Sequence, residues 1–300
     1  MDFRFNQQIF LVFCLAGLTA LGCEDVVDVQ TAEAAKQIVV DAWLTDQPVN
    51  QVIKLTYSQP YFDAEFAEVI TGANVEVTTD GGDVFIFSET AAGTYTWSSE
   101  NGETLGLPGT EFQLNIAVDG QELSATSLMQ PTTEIDSIQQ EYREEEFGSP
   151  AGVYTQVFAR DLQGLGNTYW IKTYKNGQYL NKPEEINLAY DAGFDGGSQL
   201  DGLIFIPPIR ELTNPIADDF PADEAPYKQG DVIRVEIHSL TLDAFEFMSM
   251  VRDQILNGTN TIFASPIANS PGNISSNQSG EKILGVFCVS AVTILEKNID

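Results

Sequence analysis

Cys23 is the residue with the most chemistry within reach. An apolar run from Ile9 to Leu21, too short to span a bilayer as a finished helix, ends in Thr19, Ala20, Leu21 and Gly22 directly before it. Small side chains at that point fit a signal-peptidase cleft, so residues 1–22 read as an export signal cleaved ahead of Cys23. The freed thiol would carry diacylglycerol and the new amino group a further acyl chain. Each buried methylene contributes about 0.8 kcal/mol, so several chains on one residue make a durable membrane anchor.

Other nucleophiles and bases are scarce. Cys14 leaves with the signal, so Cys288 is the one remaining free thiol, and neither an intramolecular disulfide nor a thiolate metal site can form. Cys288 sits between Leu284 and Ser290 in a run that reads as a buried strand, where a thiol packs as a small hydrophobe. The single histidine, His238, alternates with apolar positions between Ile233 and Leu240 and is expected on the solvent side of a strand. One histidine and one buried cysteine leave little material for a Ser–His or Cys–His system. No catalytic residue is assigned, and the chain is expected not to be an enzyme.

Carboxylates offer the alternative chemistry. Asp191, Asp195 and Asp201 lie in one glycine-rich loop, and oxygen donors on a loop are what calcium prefers; their spacing is not that of an EF-hand, a solvated loop is the favoured reading, and no metal site is assigned. Asp218, Asp219, Asp223 and Glu224 pose the same alternative, whereas Glu144, Glu145 and Glu146 read as a solvated face. A carboxylate pair for glycoside hydrolysis is a spatial arrangement that spacing along the chain does not reveal. Trp97, Tyr169, Trp170, Tyr174, Tyr179 and Tyr190 could stack on a sugar or hold an apolar ligand, but they suit core and strand pairing as well. No ligand-binding residue is assigned among them, and calcium is the only cofactor that the residues suggest.

Composition narrows the partners. The formal net charge is −30, which repels phosphate backbones and argues against nucleic acid, and against adhesion to anionic lipid by charge alone. With 43% hydrophobic and 10% aromatic residues, the chain is no disordered acidic tail.

The elements that must position these residues are mostly strands. Residues 23–35 form an acidic tether. From Ile38 onward, short β-branched and aromatic runs recur at roughly ten-residue spacing, punctuated by Gly, Pro and Asp, with Asp80-Gly81 and Asp119-Gly120 as hairpin signals. Residues 36–130 are therefore expected to form an immunoglobulin-like β-sandwich, ending near Met129–Thr133. Residues 131–300 read as a second β-rich domain, loop-like from about Lys182 to Lys228 and closing in one strand from Ile283 to Leu295. It carries one amphipathic helix over about 241–257, in which Thr241 can cap and Leu242, Phe245, Met248, Val251, Arg252 and Ile255 fall near one face. The fold class is mainly β.

Several short stretches carry a family likeness: Cys23 to Val29, Ile38 to Asp46, Tyr61-Phe62-Asp63, Gly72 to Val75 and Gly93-Thr94-Tyr95. Ile135 to Ile138, Gly230-Asp231-Val232, the Phe245 to Phe247 helix, and Asn273-Ile274 ahead of Gly285-Val286-Phe287 continue it. In this order they resemble the domain-of-unknown-function 4249 family of Bacteroidota outer-membrane lipoproteins. The resemblance implies an outer-membrane protein, lipid-anchored through Cys23, that is the accessory of a TonB-dependent receptor. It also implies that Glu24-Asp25 acts as an export signal to the cell surface. The expected function is non-catalytic substrate capture for a TonB-dependent transporter in nutrient uptake. The alternatives are a structural or adhesive cell-surface β-sandwich protein and a glycan-active hydrolase.

Overall fold

Alternation of apolar and polar residues builds the first sheet. The computed structural model describes residues 35–60, 65–146, 148–197, 199–218, 222, 224–258, 270, 272–278, 280 and 282–300. The export signal, Cys23 and all but the last residue of the tether lie outside the described residues, as do Tyr61-Phe62-Asp63, Asp219 and Asp223.

The strands of the first half are β1 (Ile38–Thr45), β2 (Gln51–Tyr57), β3 (Asn74–Thr79), β4 (Val84–Ala91), β5 (Thr94–Trp97), β6 (Glu111–Val118) and β7 (Gln121–Leu128). Every second side chain turns inward: Ile38, Val40, Ala42 and Leu44 on β1, Phe112, Leu114, Ile116 and Val118 on β6. Full burial of each large member of such a set contributes about 1.5–3 kcal/mol. The β6–β7 turn places both Asp119 and Gly120 at positive φ, the conformation that a tight hairpin turn matched to strand twist requires.

Then come β8 (Ile135–Arg143), β9 (Gly152–Ala159), β10 (Thr168–Lys175), β11 (Gln178–Tyr179), β12 (Asn187–Tyr190), helix α1 (Pro207–Glu211), β13 (Val232–Leu240) and helix α2 (Leu242–Gly258). The described chain ends with β14 (Ser275–Ser276), β15 (Leu284–Ser290) and β16 (Val292–Asn298).

The mainly β class holds, with a sheet layout of its own. The strands of the first half are hydrogen-bonded in one nine-stranded path, β14-β7-β6-β3-β4-β5-β2-β1-β15. The first part of β4, Val84–Phe87, pairs with β3, whereas Ser88–Ala91 pairs with β5 across an irregularity at Glu89–Ala91. The sheet thereby curls over a core that includes Ile53, Leu55, Val77, Tyr95 and Leu114. A second sheet, β11-β10-β13-β16 with β12 on β10, packs with the β8–β9 hairpin around Tyr169, Phe205, Tyr227 and Val235. Lys36–Asp300 forms one compact unit.

Two expectations require correction. The closing stretch is not one strand: β15 and β16 are separated at Ala291, where the chain passes from the nine-stranded sheet to the second sheet. Ala291 accepts the backbone amide of Ser239 and donates its own amide to the Ser239 hydroxyl, and Asp46 accepts the amide of Val292, which fixes the crossing. β14 and β15, both from beyond residue 130, thus complete the first sheet at its two ends.

The helix face also differs from the expected one. Ala244 and Met248 are buried and Phe245 and Phe247 pack beside them, while Leu242 and Ile255 are about half exposed (50% and 47%). The Asp243 carboxylate, rather than Thr241, takes the amide of Ala244. The loop-like region from Lys182 contains β12 and α1, the latter begun by Pro207, whose fixed φ suits a first helical turn.

β15 runs parallel to β1, and the two backbones approach closely at Gly285. Gly285 has φ +98°, and a Cβ there would run into the carbonyl group of Val40. Gly82, at φ +92°, faces open space. Gly285→Ala is expected to lower stability by about 3 kcal/mol or more, against about 1 kcal/mol for Gly82→Ala, measured as the shift in urea midpoint. Equal losses would show that the close approach is unimportant.

Candidate functional site

The outward face of β14, β7, β6, β3 and β4 is a concave groove of about 990 Å³. Strand pleat puts alternate residues on this face, and the register lines them up across the strands. Ile86, Glu76, Asn115, Ser124 and Ser275 form one row; Asn74, Ala117 and Glu122 form the next. Ile86 is 68% exposed and is the large apolar side chain on the open surface of the groove. Glu89, at the rim, is occupied by the amides of Gly72 (2.9 Å) and Gly93 (3.2 Å), and the Asn277 side chain holds the amide of Glu122 (3.1 Å). Gln113 donates to Asn115 at 3.2 Å. Glu76 and Glu122 form no ion pair among the described residues, and residues 55–142 contain no Lys, Arg or His. Such a surface can bind a polar or cationic ligand through carboxylates, amides and hydroxyls. Sequence reading assigned none of these residues. The signal that could have found them is the long cation-free stretch with carboxylates and amides on alternate strand positions.

A second constellation lies between the sheets. His238 was expected on a solvent face, yet it is buried at 6% exposure. The reason is that both faces of β13 are covered: Leu240, Trp170, Val286 and Cys288 pack with α2 on the side where sequence alternation suggested water. On β13 and β10 the cross-strand pairs are His238 with Trp170, Glu236 with Lys172, and Arg234 with Tyr174. Glu236 accepts from Arg234, lies 2.9 Å from the His238 Nε2, and receives the Tyr174 hydroxyl at 3.4 Å. Burial works to raise the Glu236 carboxyl, but the bond to His238 and the charges of Arg234 and Lys172 outweigh it and hold it below the usual range. Burial pushes His238 down to about 4, against the pull of Glu236. Burial likewise pushes Lys172 down to about 8, against Glu236, Cys288 and Asp41; its ammonium lies 4.0 Å from the centre of the Trp170 ring. The Glu236–His238 pair has the composition of a general base, but its carboxylate is saturated and its imidazole is closed off from solvent.

The acidic loop does something other than the calcium reading supposed. Asp191, fully buried, accepts the amides of Gly166 (2.8 Å) and Asn167 (3.0 Å). Asp201 accepts the amide of Gly164 (2.8 Å). Asp161, which sequence reading passed over, takes the Tyr169 hydroxyl and the Gly202 amide. These carboxylates knit loop 161–167 to loop 191–204. Asp195 is exposed on the second loop. Among the described residues no three His, Cys, Asp or Glu side chains converge as metal ligands would. Asp218 pairs with Lys182 at 2.6 Å, and Glu224 and Glu144–Glu146 are exposed.

The aromatic side chains are engaged in packing, and none of the six lines the groove. Trp97 meets Phe85, Trp170 meets Trp43, Tyr174 meets Tyr179, Tyr190 meets Phe245, and Tyr169 meets Phe205.

A family model described as a domain of unknown function, DUF4249, matches residues 24–295. No curated protein matches.

Two measurements check this electrostatic picture. An imidazole depressed to about 4 binds no proton in the folded chain while its unfolded counterpart, near 6.5, does; stability therefore falls as pH drops through that window. The ring-proton NMR signal of His238 should hold its neutral position from pH 7 to pH 5, above the sequence pI of about 4.1. A midpoint near 6.5 would contradict the burial. Separately, Asp191→Ala should cost about 2–3 kcal/mol in urea unfolding because two amides lose their acceptor. Asp191→Asn keeps an acceptor and tolerates the φ of +48°, and should cost about 1 kcal/mol or less.

Proposed function

Since the chain belongs to the DUF4249 family, whose description carries no activity, we propose its function from its own residues. It is a surface-exposed outer-membrane protein, anchored by lipid on Cys23, that captures a ligand for a TonB-dependent transporter without transforming it. The observation that carries this reading is the open polar groove on the nine-stranded sheet, a binding surface with few of its side chains engaged. Cys23 after the apolar run supports the anchor, and the family match starts at Glu24, so the whole matched body follows the lipid site. The burial of His238 and Cys288 between the sheets favours binding over nucleophilic chemistry. Among the described residues no helix is long and apolar enough to cross a membrane. Anchoring in the plane of a receptor raises effective concentration to the order of mM, so that modest affinity suffices for transfer.

The test is capture of the tagged protein from detergent-extracted envelopes, with mass spectrometry of what accompanies it. The wild-type protein should sediment with membranes and bring down a TonB-dependent receptor. Cys23→Ala should release it to the soluble fraction and reduce that recovery at least tenfold. A wild-type protein found free of membranes, or never accompanied by such a receptor, defeats the reading.

A further inference from the structure

The groove also has a chemical preference, and naming it rests on the capture reading above. We propose that the concave face of β7, β6, β3 and β4 takes a cationic peptide, pairing its lysine or arginine side chains with Glu76 and Glu122.

Charge is the first argument. Glu76 stands mid-sheet between Asn115 and Ile86, and Glu122 stands two strands away on β7. Neither carboxylate has an ion-pair partner among the described residues, and the strands that carry them belong to the stretch 55–142 without a single basic residue. The chain as a whole carries −30. A concave wall lined by one sign of charge concentrates its field outward and draws in the opposite sign. An anionic ligand is repelled from such a face.

Geometry and surface chemistry then favour a peptide over a sugar. With strands about 4.8 Å apart and a rise of about 3.4 Å per residue, Glu76 and Glu122 stand about 12 Å from each other. That is near the separation of basic side chains four residues apart in an extended peptide, about 13 Å, and flexible stems absorb the difference. Asn74, Asn115 and Ser124 lie around the two carboxylates and can bond peptide backbone groups. Ile86, exposed beside Glu76, gives a lysine or arginine stem an apolar surface to lie along while its head reaches the carboxylate. Among the described residues the groove's lining has a single aromatic side chain, Phe87, and it is buried, so no exposed ring offers a sugar a stacking platform.

The experiment is fluorescence anisotropy with the acylated full chain in detergent and a dye-labelled octapeptide of alternating lysine and alanine. Its controls are the glutamate-for-lysine peptide and a neutral oligosaccharide. The lysine peptide should bind, more weakly as salt rises, and the acidic peptide should not. E76Q/E122Q should weaken binding roughly tenfold. E100Q/E103Q removes the same charge from an exposed loop outside the groove and should change affinity less than about twofold. Thermal melts of both double variants verify folding. No binding, equal effects of the two double variants, or binding of the oligosaccharide alone overturns the inference. If the receptor still co-purifies while the peptide fails to bind, this inference falls and the capture reading stands. If the peptide binds and no receptor accompanies the protein, the outcome is the reverse.

Discussion

The close parallel approach of β15 to β1 is the contact on which the arrangement of the two sheets depends. β15 inserts Phe287 and Val289 into the first core and turns Val286 and Cys288 to the opposite side, against Trp170, Leu188 and α2. One residue later, at Ala291, the chain changes sheets and continues as the edge strand β16. A parallel pair needs a long connection, and here nearly the whole chain serves as that connection. The first sheet therefore cannot complete itself until the C-terminal strands arrive. Gly285 is what lets the backbones meet, and Ser239, Asp46 and Ser127 satisfy the amides that the crossing would otherwise leave unpaired.

That contact also explains which parts of the fold were legible in the sequence. Strands β1 to β7 follow from period-two alternation, and the Asp119-Gly120 turn from the need for positive φ at successive residues. These are local rules. The division of Ile283–Leu295 into two strands depends on a pairing with residues some 240 positions away, and nothing in the stretch itself marks Ala291 as the crossing point. His238 failed for the same reason. Alternation distinguishes the two faces of a strand, but only tertiary packing decides whether the second face meets water or α2 and β15. The groove was illegible because curvature belongs to the sheet: Glu76, Asn115 and Glu122 each read as an ordinary solvent-side residue until the register brings them together.

The charges buried between the sheets show the cost of covering both faces of β13. Glu236 is compensated by Arg234, His238 and Lys172, and the arrangement holds β10 and β13 in one register, since slipping by one residue would bury unmatched charge. Removing one partner of such a buried set typically costs about 3–5 kcal/mol, because the other charge is left uncompensated. The depressed imidazole and ammonium are consequences of that burial rather than signs of a reacting centre: the imidazole is closed off from solvent, and the carboxylate beside it is taken up by Arg234, His238 and Tyr174.

The second half of the chain uses its cations locally, and this leaves the first sheet as acidic as it is. Arg143 is held by Glu211, Lys175 by Asp231, Lys182 by Asp218 and Arg234 by Glu236. Arg160 and Lys297 bond backbone carbonyls of Gly202 and Ile138. Every one of these positions lies after residue 142, so the basic residues neutralise loops and the inter-sheet region but do not reach the strands β3 to β7. An even scatter of the 14 basic residues over the 300 positions would place about four of them between residues 55 and 142, where there are none. Their segregation means that the first sheet keeps an uncompensated field on a concave face, while these cations of the second half are taken up by carboxylates or carbonyls close by. Self-repulsion on such a face opposes folding, and the screening that relieves it at high salt would equally be supplied by a bound cation. The same distribution of charge that makes the groove costly to maintain empty makes it selective when filled.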